Sequence, residues 1–209
     1  MGARWPASRE HSTAWSDNPI RAAIQRHFEA RWLLEMGGPV TGGHALEVGC
    51  GRGVGIELIF DVFGADRVDA FDLDMAMVRR AQRRVAQRGG HVRLWIGDVT
   101  RITSDDDTYD AVFDFGILHH VPAWRTAIAE VYRVLKPGGR LYAEEMLAGL
   151  ILHPVWRRLL DHPIEDRFDC AEFTEELERV GFGVVSTREH HGHAAWFVAQ
   201  KGEDDALEV

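Results

Sequence analysis

The stretch that most constrains this chain is Ala45-Leu46-Glu47-Val48-Gly49-Cys50-Gly51-Arg52-Gly53-Val54-Gly55. Ala45 to Val48 is a short apolar run that reads as a buried parallel strand. The run breaks into Gly49, Gly51 and Gly53, and Val54 to Phe63 then resumes with apolar spacing that suits a helix. A strand, a glycine turn and a helix N-terminus together let backbone approach a ligand closely, with amide donors facing it. The dinucleotide fingerprint needs a glycine three residues after its second glycine. That position is Val54, or Ile56 if the frame starts at Gly51, so neither frame fits. A tight turn with no ligand is the competing reading of this stretch.

Composition narrows the class. A chain of 209 residues suits one α/β domain with a substantial core. The formal charge of −9 leaves no electrostatic footprint for nucleic acid, and it repels anionic membrane surfaces on average. Cys50 and Cys170 lie far apart and form no CxxC, so neither a zinc site nor a disulfide framework is indicated. No apolar run approaches the length of a transmembrane segment, and the first residues lack the apolar core of a signal peptide. The expectation is a cytoplasmic enzyme.

Further along the chain, strand and helix patterns alternate. Asn18-Pro19 opens a helix from about Pro19 to Met36, with Ile20, Ile24, Phe28 and Trp32 at i+4 spacing. Arg67 to Phe71 reads as a second strand, ending at Asp72-Leu73-Asp74. Asp74 then caps a helix from Met75 to Arg88, whose arginines form a solvated face. A third strand, His91 to Ile96, leads to Gly97-Asp98-Val99. A fourth, Asp110 to Phe115, continues into Gly116-Ile117-Leu118-His119-His120-Val121-Pro122. A helix from about Ala123 to Leu135 stops at Lys136-Pro137-Gly138-Gly139, and a fifth strand runs from Arg140 to Met146. Thr174 to Val180 ends another helix at Gly181. Phe182 to Thr187 and Ala194 to Gln200 complete the strands, joined by His190-His191-Gly192-His193.

The acidic residue before Gly-x-Gly-x-Gly, the acids after strands two and three, and the order Leu-His-His-Val, helix, Leu-Lys-Pro-Gly-Gly, strand resemble the class I S-adenosylmethionine-dependent methyltransferases. The resemblance covers about Ala45 to Leu147 and is closest to the quinone-biosynthesis type that acts on small molecules. It implies a Rossmann-like, doubly wound α/β sheet of seven strands, mostly parallel with one antiparallel edge strand. It implies S-adenosylmethionine as cofactor and S-adenosylhomocysteine as product. The implied cofactor residues are Glu47, Gly49, Cys50, Gly51, Gly53, Asp72, Leu73, Asp98, Val99 and Phe115. Asp72 lies at the carboxyl end of the second strand, where a carboxylate can accept both ribose hydroxyls. Asp98 would accept from the adenine amine, and the Val99 amide would donate to the ring; a loop cap is the rival role for Asp98. The whole chain then reads as one domain. Residues 1–38 supply a leading segment and cap helix, 148–173 a lid-like insertion and 202–209 a loose tail.

The chemistry is methyl transfer to O, N, S or C of a small, hydrophobic or aromatic acceptor. His120 is the first candidate for a catalytic base and His119 the second, with a packing role as the rival for both. Metal-dependent relatives carry acids near the ends of strands four and five, where this chain has Asp114, Glu144 and Glu145. Their strand-four acid falls one residue later, at Phe115, so no metal is expected. The turn His190-His191-Gly192-His193 reads as exposed, with a transition-metal site as the alternative. Two other functions stay open: a macromolecule-modifying methyltransferase, and a cofactor-binding protein without turnover. Oligomeric state, pathway and acceptor identity are not encoded in any motif.

The insertion carries Leu150, Ile151, Leu152, Val155, Trp156, Leu159 and Leu160 just after strand five. Apolar lids cover apolar ligands, because small-molecule pockets are lined mainly by hydrophobic groups. Trp156→Ala and Leu152→Ala are therefore expected to raise acceptor KM while S-adenosylmethionine affinity holds. Steady-state kinetics on the folded variants checks this; a fall in melting temperature alone would make the segment plain core.

Overall fold

Strand residues alternate between the two faces of a sheet, and a parallel sheet must bury both. The computed structural model, which describes residues 29–151 and 167–203, shows both faces covered. The elements are α1 (Ala30–Gly37), β1 (His44–Val48), α2 (Val54–Leu58), β2 (Arg67–Asp72), α3 (Met75–Arg84), β3 (Val92–Ile96) and β4 (Tyr109–Phe115). They continue as α4 (Trp124–Val134), β5 (Leu135–Met146), α5 (Ala148–Ile151), α6 (Cys170–Val180), β6 (Phe182–His190) and β7 (Ala194–Lys201). Leu46, Val48, Val112, Leu141 and Phe197 point to one face and pack with Trp124, Ile128, Phe173 and Leu177 of α4 and α6. Ala45, Phe113, Tyr142 and Val198 point to the other and pack with Leu33 of α1, Ile56 of α2 and Ala81 of α3.

The seven strands lie in the order β3-β2-β1-β4-β5-β7-β6. The pairs β2–β3, β1–β2, β1–β4 and β4–β5 are parallel, and β7 runs antiparallel to both β5 and β6 at one edge. This is the doubly wound, mostly parallel α/β sheet expected of the sequence. Among the described residues no helix is long and apolar enough to cross a membrane.

Several boundaries differ from the sequence expectation, each for a local reason. The helix after the glycine turn continues past Leu58 as a π turn, Ile59–Phe63, closed by Gly64 at φ 75°. The arginine-rich helix ends at Arg84 and not at Arg88, since Gly89 (φ 55°, ψ −133°) sits in a non-helical conformation within the 3-10 segment Ala86–His91. Its arginines are only partly a free solvated face: Arg88 pairs with Asp61 at 2.5 Å, and Arg84 with Glu57 at 3.7 Å.

Lys136-Pro137-Gly138-Gly139 ends α4 but does not separate it from β5. The strand starts at Leu135, and pairing steps from Tyr109↔Leu135 to Ala111↔Arg140, so the Pro-Gly-Gly run is a bulge inside the strand. β6 extends to His190, because pairing with β7 continues as far as His190↔Ala194. The helix expected from Pro19 is described only over α1, and the insertion only at its two ends. Residues 1–28, 152–166 and 204–209 lie outside the described residues, and with them Ile20, Ile24, Phe28 and Trp156.

α6 starts with a capping box. Asp169 accepts from the Glu172 amide at 2.9 Å, and Glu172 accepts from the Asp169 amide at 3.0 Å. Gly181 closes the helix in the left-handed conformation. Loss of an N-cap costs about 1 kcal/mol, so Asp169→Ala is expected to lower the melting temperature by about 2–4 °C. A thermal melt reads it, and an unchanged midpoint would leave the cap without a role in stability.

Candidate active site

In an open parallel sheet, ligands bind outside the carboxyl ends of the strands, where the strand order reverses. Here the reversal falls between β1 and β4, and the glycine turn leaves β1 at that point. Gly49, Gly51 and Gly53 all have φ between 48° and 81°, a region costly for residues with a Cβ. Packing adds to the demand at two of them: a Cβ at Gly49 would strike Ile117, and one at Gly53 would press on the Ala81 backbone. At Gly51 a Cβ would meet nothing within 4 Å. The turn is therefore packed on both flanks and open at its middle.

Asp72, at the end of β2, reaches this turn. Its Oδ2 accepts from the Gly51 amide at 2.9 Å and its Oδ1 from the Asp74 amide at 2.8 Å. Burial raises its pKa, and the two amides oppose that rise. Asp74 does cap α3, through the Ala76 amide at 2.7 Å. Leu73, Met75 and Ile96 are large apolar side chains left about half exposed at this end of β2 and β3, and Asp72 is paired with Ile96. Sequence reasoning named Leu73 but missed Met75 and Ile96; the signal was an apolar residue at the last position of a strand whose neighbour ends in an acid. Asp98 is exposed, and its Oδ1 accepts from the amide (2.9 Å) and hydroxyl (2.8 Å) of Thr100. The loop-cap role is thus real and uses Oδ1. Val99 is buried in the core.

Glu47 lies beneath the same turn. It is 2% exposed, and its Oε2 has no hydrogen-bond partner among the described residues. Burial, then the Asp72 and Asp114 charges, raise its pKa well above the usual carboxyl range, against an amide bond from Ile56. Gly55 is required here, since a Cβ would collide with the Glu47 carboxyl and the Phe115 ring. Phe115 is half-buried and stacks on Phe113. Cys50 is buried, and burial pushes its thiol up, so it acts as a small filler of the turn and not as a nucleophile.

Asp114 and Glu145, near the ends of β4 and β5, hold the turn that leaves β4. Asp114 Oδ1 accepts from the amides of Gly116 (3.1 Å) and Ile117 (2.9 Å). Glu145 accepts from those of Leu118 (2.7 Å) and His119 (3.1 Å). Both acids are fully buried. Burial first, then Glu145, raises Asp114 well above its usual range, and Glu145 is pushed up to about 7 by burial. The nearby Glu145 carboxyl adds to the rise of Asp114, so the pair favours keeping a proton. Asp114 Oδ1 and both Glu145 oxygens are thus engaged with backbone, while Asp114 Oδ2 has no hydrogen-bond partner among the described residues. Of the two candidate bases, His119 is buried with Nδ1 on Glu145, whereas His120 is only partly buried. His190, His191 and His193 are not gathered into a metal-holding group, and no such group of three or more His, Cys, Asp or Glu occurs among the described residues.

A cavity of about 370 Å³ lies elsewhere, at the amino ends of the strands, lined in part by Val40, Thr41, Asp110, Arg140 and Tyr142. None of the cofactor or catalytic residues expected from the sequence lines it.

With this geometry in place, known proteins can be compared. A family model described as a methyltransferase domain matches residues 45–139. A probable S-adenosylmethionine-dependent methyltransferase of Mycolicibacterium smegmatis is 33% identical over 148 residues, 70% of this chain and 54% of that protein. A demethylmenaquinone methyltransferase of Lactiplantibacillus plantarum is 30% identical over 147 residues, 68% of this chain and 61% of that protein. The chain thus spans between about half and three fifths of the length of these two relatives. The fold is similar to the crystal structure of a SAM-dependent methyltransferase from Aquifex aeolicus, with a TM-score of 0.72 and 22% identity, covering 91% of this chain and 98% of that one.

The buried acid pair carries a pH signature. The folded protein keeps on Asp114 a proton that the unfolded chain releases above the ordinary aspartate pKa. Stability therefore falls as pH rises from that value toward the raised folded pKa, by up to about 1.4 kcal/mol per pH unit. Asp114→Asn mimics the protonated acid, since its amide can accept from Gly116 and Ile117 and donate to Glu145. The variant is expected to gain on the wild type between pH 5 and pH 8 in urea melts. A difference that stays flat across that window would show Asp114 ionised in the folded protein.

Proposed function

We propose that this chain, which belongs to the class I S-adenosylmethionine-dependent methyltransferase family, transfers a methyl group to a small acceptor molecule. The observation that carries the reading is the cradle at the carboxyl edge. It combines a glycine turn open at Gly51, the Asp72 carboxylate oriented by two amides, exposed apolar Leu73, Met75 and Ile96, and the unpartnered Glu47 oxygen. These features fit a ligand with a hydroxylated sugar, an aromatic base and positive charge. S-adenosylmethionine supplies a methyl already activated on a sulfonium, so the protein's task is to bind, exclude water and align.

In this reading Asp72 accepts from the ribose hydroxyls through the lone pairs its two amide bonds leave free. Leu73, Met75 and Ile96 flank the adenine, and Asp98 Oδ2 and the Val99 amide serve its edge. A bound cation would favour the ionised form of the buried Glu47 carboxyl, whose pKa burial raises in its absence. Phe115 and Cys50 close the turn against water. His120, at the end of the turn that leaves β4, takes a proton from an acceptor that needs a base.

The acceptor is a small hydrophobic or aromatic molecule, such as a quinol or phenol. Support comes from the apolar run that begins at Leu150 and Ile151 at the carboxyl end of β5, and from a relative named for a quinone substrate.

Asp72→Ala removes a charge-assisted acceptor worth about 1.5–3 kcal/mol, so S-adenosylmethionine affinity is expected to fall tenfold to a hundredfold. Titration calorimetry measures this, with a thermal melt confirming that the variant, which also frees the Gly51 and Asp74 amides, stays folded. Unchanged affinity would remove Asp72 from the site, and wild-type protein that binds no S-adenosylmethionine would overturn the function.

A further inference from the structure

The turn that leaves β4 is held to an unusual degree. Four consecutive backbone amides, Gly116 to His119, each donate to a buried carboxylate, the first two to Asp114 and the last two to Glu145. Asp114 belongs to the same strand as the turn, but Glu145 comes from β5, so its bonds tie two strand ends together. Glu145 makes one bond more than anchoring requires: its Oε2 meets Nδ1 of His119 at 2.5 Å, with both side chains buried. The His119 ring in turn packs against that of His120, with centroids 4.1 Å apart and planes tilted by 40°.

The direction of the Glu145–His119 bond follows from the rest of the network. Both Glu145 oxygens already accept from main-chain N–H groups, which can only donate. Those amide bonds favour the ionised carboxylate against the burial that raises it, and toward that form the third partner brings the proton. Nδ1 of His119 is then the protonated nitrogen, as when a carboxylate sets the tautomer of a functional histidine. A side chain that merely filled space would not determine where that proton sits.

We propose that Glu145 is a positioning residue: it fixes His119 as the Nδ1–H form and, through the His119–His120 ring contact, holds His120 in place at the carboxyl end of β4. Glu145 itself touches neither acceptor nor cofactor. The geometry stands by itself, while its consequence for turnover rests on the methyltransferase reading given above.

Long-range proton–nitrogen NMR on the full chain with ¹⁵N-labelled histidine tests the assignment without an acceptor. His119→Phe identifies the His119 signals among the eleven histidines. The wild type is expected to show His119 protonated at Nδ1. In Glu145→Gln the new amide can donate to Nδ1, so the proton should move to Nε2 and the His120 signals should shift. Affinity for S-adenosylhomocysteine should stay within about twofold, and kcat on 1,4-naphthoquinol as probe acceptor should fall about tenfold or more. Glu145→Asp, which keeps the charge but withdraws it by one methylene, serves if the glutamine variant does not fold, and it should broaden or split the His119 signal.

A wild-type His119 with bare Nδ1 overturns the proposal, as does a folded Glu145 variant with His119 and His120 signals unchanged. Failure of the wild type to bind S-adenosylhomocysteine would instead count against the methyltransferase reading and leave the tautomer result standing.

Discussion

A backbone amide that leaves a strand end with neither ladder nor helix partner must find an acceptor, and at the carboxyl edge of this sheet the acceptors are carboxylates. Asp72 holds the glycine turn through Gly51, Glu47 holds the start of α2 through Ile56, and Asp98 holds the loop after β3 through Thr100. Asp114 and Glu145 hold the turn after β4. The turns after β1, β3 and β4 are thus each tied to an acid standing at or just beyond the end of a strand, while that after β5 is held by the carbonyls of His193 and Phe168. Rigid strands place these acids well, and the acids pass that precision to loops with little packing of their own. A site on loops needs such support, because methyl transfer depends on alignment more than on any powerful catalytic group.

The same arrangement has an electrostatic cost. Glu47, Asp114 and Glu145 are buried and Asp72 is half-buried beside them, and all four have pKa values raised by desolvation. Glu47 is raised further by Asp72 and Asp114, which is direct repulsion across β1, β2 and β4. Protonation of Asp114 relieves part of it. A ligand carrying positive charge would relieve more, and would do so only while the charge persists. The cluster that stiffens the rim is therefore also a set of carboxyls that burial and mutual repulsion keep from ionising freely.

How much of this was legible in the sequence differs by kind of signal. The strand order, the glycine turn, and the acids Asp72 and Asp98 were readable, because each depends on local residue type and spacing. The boundaries that moved depend on long-range pairing. Lys136 to Gly139 carries every local mark of a break, yet the ladder with β4 begins before it at Leu135 and bridges it as a bulge. β6 outruns its apolar alternation because β7 is long enough to pair with it. Glu145 is the sharpest case. Beside Asp114 and Glu144 it resembles a metal ligand, since side-chain chemistry is visible in a sequence and the backbone amides that occupy it are not. Only the turn after β4, folded over the end of β5, shows where its lone pairs go.

Size of cavity is a poor guide to chemistry in this fold, and the reason is directional. The opening of about 370 Å³ sits at the amino ends of the strands, where its one acid, Asp110, is already taken by the His44 amide and the Lys136 ammonium. Parallel strands followed by helices send their helix N-termini, with unpaired amides and partial positive charge, to the opposite edge. Free donors, strained glycines and desolvated acids thus gather at the carboxyl edge by topology alone. There several groups have unused capacity: Gly51 faces open space, Glu47 keeps an unpartnered oxygen, and Leu73 and Ile96 remain exposed despite their apolarity. The amino edge also holds an open left-handed glycine, Gly42, and an Arg140 Nε unpartnered among the described residues, but it lacks the exposed apolar residues Leu73 and Ile96 and the cluster of acids raised by burial that mark the carboxyl edge.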